Sequence, residues 1–214
     1  MRTTLSAADF VAMFHLVADR IEEEKVRLSE LDGVIGDGDH GITMAIGWNA
    51  VREILTPELE EKSITDVCNL VARTFLNAVG ASSGPLYATA LMRGGAALKG
   101  REGADGAALA GFLAAALQGL RDRGKAEPGD KTMIDAWTPA ATAAAAAAEA
   151  GALPAEVLRA AAEAAGKGAD ATAAMLPKKG RSAKLGERAL GHVDPGAASA
   201  AVILAAMADG AARP

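Results

Sequence analysis

The sequence predicts an all-α fold. Apolar residues recur at three- and four-residue spacing in eight segments, no stretch alternates as a half-buried strand does, and no internal repeat is present. Half of the 214 residues are hydrophobic, much of that half is alanine, and aromatics make up only 3%. Small and aliphatic side chains must therefore fill the core.

The first helix is expected over about residues 6–30. Ser6 suits its N-cap and Asp9 its first turn, and Phe10, Met13, Phe14, Val17, Ile21 and Leu28 follow helical spacing. "ITMAIGWNAVREIL" forms the second, ended by Pro57. A third runs from Thr65, taken as its cap, to Val79. "ASSGPLYATALMRGGAAL" starts the fourth, with Ser83 as cap and Pro85 in the first turn. The fifth spans 105–122 and is closed by "EPGD". "KTMIDAWTPAATAAAAAAEA" gives the sixth, with a disturbance expected at Pro139. Pro154 opens the seventh, which reaches about Met175. After a polar loop, "PKKGRSAKLGERALGHVDPG", the stretch "PGAASAAVILAAMADG" supplies the eighth. The eight helices are compatible with antiparallel packing, and their Ala and Gly positions let axes approach closely. Binding residues are expected in the polar stretches between them.

Composition excludes several classes. The length fits one generous domain or two small ones. A net charge of −5 and a pI near 5.3, with no block of Lys and Arg, argue against nucleic-acid binding. Cys68 is the single cysteine, so there is no internal disulfide, and its helix-like setting reads as a buried structural thiol. The N-terminus lacks a signal-peptide layout, and no run of 18 strongly apolar residues suggests a membrane span. A soluble cytoplasmic protein is expected.

The chemistry concentrates in "LDGVIGDGDHG", residues 31–41, where Asp32, Asp37 and Asp39 fall within eight positions. "GDGDHG" satisfies G-x-G-x-x-G, but a helix precedes it where a dinucleotide fold needs a strand. Aspartates also stand where a loop cradling phosphate least tolerates anions. An EF-hand fails as well, because Trp48 occupies the twelfth position from Asp37, where a bidentate Glu belongs. A cation site remains. The α-carbons of Asp37 and Asp39 are at most about 7 Å apart, and Asp32 can fold back across the turn from Gly33 to Gly36. Two carboxylates about 4 Å apart repel by roughly 4 kcal/mol at an effective dielectric of 20, and a hard divalent ion reverses that sign. Mg2+ is the natural candidate, since it takes oxygen ligands shared between a few carboxylates and phosphates. A solvated Asp-Gly turn suffices for Asp39 alone. Three acids followed by His40 and a helix start favour the metal.

Other loops carry weaker signals. "GLRDRGKA" fits most of a P-loop but ends in Ala126, so it lacks the Mg-binding hydroxyl; it reads as a helix C-terminus with Gly124 as a turn glycine. Ser82 and Ser83 of "GASSGP" stand at a helix start, where free N–H groups attract phosphate, although N-capping alone explains such serines. Arg181, in a Gly-Arg-Ser turn, can clamp phosphate oxygens. Lys178, Lys179 and Lys184 read as solvated, Glu187 with Arg188 as a surface ion pair, and His192 as a loop histidine as readily as a catalytic one.

Together, "IGDGDHG", "ASSGPLYAT", "GDKTMIDAW" and "GRSAKLGERALGHVDPGA" resemble, in order and spacing, the nucleotide-binding L subunits of dihydroxyacetone kinases. The resemblance covers about residues 6–210. It implies one nucleotide-binding domain over 1–214, folded as an eight-helix antiparallel barrel with the nucleotide site in loops at one end. It implies that Asp32, Asp37 and Asp39 hold two Mg2+ ions, which grip the phosphates of ADP or ATP. His40, Gly41, Ile42 and Thr43 would be the helix start beside those phosphates, and Ser82 and Ser83 the phosphate-contacting pair. Gly124 and Met133 would wall the adenine, Arg181 would be the arginine of the Gly-Arg loop, and Asp194, Pro195 and Gly196 a turn closing over the nucleotide. Thr43 stands where Asn is frequent, and "GASSG" replaces "GGASG"; both swaps keep small or polar character.

The activity implied is phosphoryl transfer to dihydroxyacetone or a related ketose, which needs charge neutralisation and in-line positioning more than a protein nucleophile. No residue of this chain need act covalently. In the family the ketose is bound by a histidine of a separate K subunit. With only His15, His40 and His192, this chain is expected to be half an enzyme. Its phosphate would come from ATP or from a phosphotransferase-system M subunit that recharges a bound ADP. Three alternatives stand beside it: a nucleotide-loaded module contacting a transcription regulator, a divalent-metal lyase or cyclase acting on a nucleotide, and an acyl- or lipid-binding role for the apolar interior, which no residue identifies.

Overall fold

In the computed structural model, which describes residues 2–213, the chain is helical throughout. Eight α-helices are described: α1 (Ala7–Ile35), α2 (His40–Ile54), α3 (Ile64–Ala78), α4 (Ser83–Ala97), α5 (Gly106–Gly124), α6 (Ile134–Glu149), α7 (Pro154–Ala171) and α8 (Pro195–Ala211). Three 3-10 segments join them: Pro57–Glu61, Thr172–Ala174 and Arg181–Ala189. The last is broken at Gly186, whose φ is 54°. Extended pairing among the described residues is limited to an isolated bridge between Leu5 and Ala104. No helix among them is long and apolar enough to cross a membrane.

The caps explain most boundaries. Ser6 and Asp9 close a capping box on α1, with Ser6 N–H donating to the Asp9 carboxylate at 2.7 Å. Asp105 accepts from Ala108 N–H at 2.7 Å, and Pro154 opens α7 where its missing N–H costs nothing.

Other boundaries depart from expectation. The cap of α3 is Ser63, which accepts from Asp66 N–H at 3.1 Å. Thr65 instead donates its hydroxyl to the Gly95 carbonyl at 2.8 Å, crossing to α4. Ser83 is the first helical residue of α4 rather than its cap; Ser82 holds that position without a side-chain cap bond. Gly124 is helical, and the left-handed residue ending α5 is Lys125, at φ 53°. α6 begins at Ile134, later than expected, because residues 126–133 form a structured loop. It then runs unbroken through Pro139. That proline falls in the second turn and deprives only the Asp135 carbonyl of its helical donor. α7 stops at Ala171 and tightens into 3-10 geometry.

Each helix packs against its successor, and α8 returns to α1. The core is one contiguous cluster with two textures. On the α1–α5 side, a chain of ring contacts runs Phe112–Phe10–Phe14–Trp48–Phe75–Tyr87, with centroids 5.6–6.1 Å apart. Each such pair adds about 0.5–1.5 kcal/mol beyond its buried area. On the α6–α8 side the buried residues are mainly alanines, such as Ala136, Ala140 and Ala144 against Ala161 and Ala165. Six of the seven aromatics thus pin one half, and close helix approach fills most of the other, where Trp137 of α6 is the seventh.

Candidate functional site: an acidic cluster at a cleft of helix ends

α1 continues through "LDGVI", so Asp32 lies in its last turn rather than folding back across a loop. The chain leaves the helix at Gly36, where an added Cβ would sit 2.2 Å from Asp32 Oδ1. Asp37 and Asp39 follow on the short connection to α2. One carboxylate oxygen from each of Asp32, Asp37 and Asp39 lies within 4.8 Å of the others; Asp32 is buried and the other two are exposed. An all-oxygen donor set this compact fits a hard cation such as Mg2+. The His40 N–H donates to Asp32 Oδ2 at 3.1 Å, so the end of α1 caps the start of α2.

His40 also reaches across the molecule. Its Nε2 lies 2.9 Å from Ser199 Oγ, which donates to the Gly196 carbonyl at 3.0 Å. With the serine proton committed to that carbonyl, the bonding pattern assigns Nε2–H as the donor. Burial pushes the imidazole pKa down while the Asp32 charge pulls it up, and burial is the larger effect. A neutral ring therefore links the acidic end of α1 to the first turn of α8.

Beside the cluster opens a cleft of about 560 Å³. Its walls come from the ends of α1 (Asp32, Ile35) and α5 (Leu120, Arg123, Gly124), and from the starts of four helices. Those are α2 (His40, Thr43), α4 (Ser83), α6 (Ile134) and α8 (Pro195, Gly196), with Asp39, Ser82, Met133 and Asp194 immediately before them. Every even-numbered α-helix among the described residues starts here. Four helix N-termini bring unpaired N–H groups and positive dipole ends to one place, a setting for a multiply charged anion.

Eleven of the predicted site residues line this cleft: Asp32, Asp39, His40, Thr43, Ser82, Ser83, Gly124, Met133, Asp194, Pro195 and Gly196. Asp37 stands next to it in the acidic cluster. Gly41 instead faces α1, where an added Cβ would come 2.0 Å from the Lys25 carbonyl oxygen, and the Ile42 side chain is exposed. The Arg181 backbone lies in the 3-10 segment next to Lys179, Gly180 and Ser182, which line the cleft; its side chain lies outside the described residues.

Sequence reasoning missed Lys131, Asp135, Thr172 and Ser199. Asp135 Oδ1 accepts from Gly129 N–H at 2.5 Å and Oδ2 from Thr132 N–H at 2.9 Å, which shapes the loop before α6. Its position three residues after Thr132 in "GDKTMID" was the available signal. Asp194 caps α8 by accepting from Ala197 N–H at 2.8 Å. Burial nevertheless lifts its pKa from 3.8 to about 7, against the opposing pull of that cap bond and of Lys131.

This shift has a testable consequence. Between pH 3.8 and about 7 the folded state keeps a proton on Asp194 that the unfolded chain releases. Stability from this group therefore falls as pH rises through that window and is flat above it. Asp194→Asn should gain melting temperature relative to the parent from the acid to the neutral end of the window. A constant difference across pH would contradict the assignment.

Residues 34–209 match the family model described as the DAK2 domain. The chain is 41% identical over 189 residues to the Listeria innocua "PEP-dependent dihydroxyacetone kinase 1, ADP-binding subunit DhaL", covering 88% of this chain and 89% of that protein. It is 37% identical over 196 residues to the Escherichia coli "PEP-dependent dihydroxyacetone kinase, ADP-binding subunit DhaL", covering 92% and 93%. Among solved structures, the dihydroxyacetone kinase from C. freundii in complex with AMP-PNP and Mg2+ matches with a TM-score of 0.70 and 29% identity. That alignment covers 97% of this chain and 35% of the kinase, so the chain spans about a third of the kinase's length.

Proposed function

The chain belongs to the DAK2 domain family, and from that premise we propose that it is the ADP-binding subunit of a dihydroxyacetone-type kinase. It is read as one domain over residues 1–214, an eight-helix antiparallel barrel that holds ADP or ATP with two Mg2+ ions at one end. It passes a phosphoryl group to a ketose carried by a separate K subunit, and it works in the cytoplasm.

The observation that carries this reading is the meeting of three carboxylates and four helix N-termini at one cleft. Neither feature suffices alone. Carboxylates repel phosphate, and helix ends bind many anions. Together they match an anion that arrives with its own divalent counter-charge. Asp32, Asp37 and Asp39 would hold the metal, which when bound would neutralise the β- and γ-phosphate oxygens. The first N–H groups of α2 and α4, with the Ser82 and Ser83 hydroxyls, would orient the phosphates. Met133 and Gly124 would flank the base, and the turn of Asp194, Pro195 and Gly196 would close the cleft from the α8 side. Arg181 would complete the phosphate contacts. None of these groups need act as a nucleophile, so catalysis by this chain is positioning and charge neutralisation.

The Listeria innocua and Escherichia coli relatives are named PEP-dependent and ADP-binding, and the chain covers about nine-tenths of each. This supports the route in which a phosphotransferase-system M subunit recharges a bound ADP. The test is to purify the chain, identify the nucleotide that accompanies it, and assay ketose phosphorylation with and without the K subunit. Retained ADP supports the M-subunit route, and freely exchanging ATP supports direct kinase chemistry. The chain alone is expected to phosphorylate no dihydroxyacetone and to do so once the K and M subunits, or the K subunit and ATP, are supplied. Robust turnover by the isolated chain would overturn the proposal.

A further inference from the structure

Lys131 sits in "PGDKTM", a polar turn in which a lysine would ordinarily extend into water. It is instead fully buried, and its backbone adopts a left-handed conformation, φ 59°, that a non-glycine residue rarely takes. Asp135 holds the backbone on either side through Gly129 N–H and Thr132 N–H. The lysine side chain is thereby turned inward, and its ammonium donates to two main-chain carbonyls, Thr172 and His192, both at 2.6 Å. Neither acceptor is local, being 41 and 61 residues away in sequence.

Resting on the nucleotide-binding reading above, we propose that Lys131 is the positioning residue that sets two walls of the cleft against each other. It ties the Met133-bearing loop to the end of α7 and to the segment entering α8. Thr172 stands at the junction. Its carbonyl accepts from Lys131, and its hydroxyl donates to the Ala169 carbonyl at 2.5 Å and accepts from Asp194 N–H at 2.9 Å. Asp194 in turn caps the first turn of α8, which carries Gly196 on the cleft wall. The route from Lys131 through Thr172 to Asp194 is thus continuous hydrogen bonding. Charge-assisted bonds of this kind are short and directional; removing the ammonium takes that donor from the His192 carbonyl and leaves the Thr172 carbonyl with Met175 N–H at 3.0 Å. Lys131 itself lines the cleft, but its ammonium is committed to these two carbonyls; without it the cleft would lose the register between its Met133 wall and its Asp194–Gly196 wall.

Lys131→Met keeps the length and removes the donor; Lys131→Gln retains a neutral donor for the same carbonyls; Thr172→Val removes the hydroxyl link while keeping the shape. The readouts are ADP binding by calorimetry with Mg2+, well below the melting temperature, and amide hydrogen exchange without nucleotide. Lys131→Met is expected to weaken ADP binding about tenfold or more and to speed exchange at Ala197 and Ala198 while leaving α3 unchanged. Lys131→Gln should recover part of the loss, and Thr172→Val should reproduce it. ADP affinity within twofold of the parent, or exchange accelerated evenly through all helices, would overturn the proposal. If Lys131→Met does not fold, Thr172→Val decides by the same criteria. A parent chain that binds no ADP would overturn the nucleotide reading instead, and the exchange comparison alone would then decide the role of Lys131.

Discussion

Asp37→Ala is expected to abolish nucleotide retention while leaving the fold intact. The oxygens of Asp32, Asp37 and Asp39 converge within 4.8 Å, and without a cation they repel, by roughly 4 kcal/mol per pair at about 4 Å and a dielectric of 20, less under solvent screening. Removing one relieves that part of the repulsion in the metal-free protein. In the presence of Mg2+ and ADP the sign inverts. Loss of a hydrogen-bonding partner behind a metal ligand already costs about 10–100-fold in affinity, so loss of a direct ligand should exceed 100-fold. Asp37 is exposed, whereas Asp32 is buried and also caps α2. Thermal melts with and without Mg-ADP, together with the nucleotide content of the purified variant, measure both signs. A variant that retains its nucleotide refutes the metal site.

Gly41→Ala should be severe for a different reason. Gly41 lies in the first turn of α2 against α1, and a Cβ there would meet the Lys25 carbonyl oxygen at 2.0 Å, Ser29 Oγ at 2.7 Å and Ser29 N at 2.8 Å. Two of these are backbone atoms inside a helix and cannot rotate away. The methyl must push α2 off α1, an overpacking cost of about 1–3 kcal/mol or more. The same displacement draws His40 N–H from Asp32 and Asp39 from Asp32, so metal and nucleotide affinity should fall with stability. Gly111, in α5, has nothing within 4 Å of an added Cβ, and Gly111→Ala should be neutral or stabilising by about 0.5–1 kcal/mol. Denaturant melts and Mg-ADP titration of the two variants provide the comparison. Normal Mg-ADP affinity in Gly41→Ala would show that the α1–α2 spacing does not set the site.

The features readable in the sequence were those whose physics is local. The Ser6 cap with Asp9 in the first turn, and the proline that opens α7, each act within one turn, and each was visible as a residue type at a fixed offset. The crowding of Asp32, Asp37 and Asp39 was equally plain. Boundaries were less so. Asp32 reads as part of a glycine-rich turn, yet packing keeps "LDGVI" helical, since burial of Leu28 and Ile35 outweighs the low helix propensity of Gly33.

The helices, their order, the crowding of acidic residues and the small side chains that let the helices close on one another are all encoded in the residue pattern. Only the tertiary structure decided that four helix starts meet beside that cluster, that His40 bonds to Ser199 from 159 residues away, and that Lys131 is buried among distant carbonyls. Caps and helical period arise from atoms a few residues apart, so the residue pattern encodes them directly. Convergence of helix ends and satisfaction of a buried ammonium depend on partners that only packing brings together, and no local pattern carries that information.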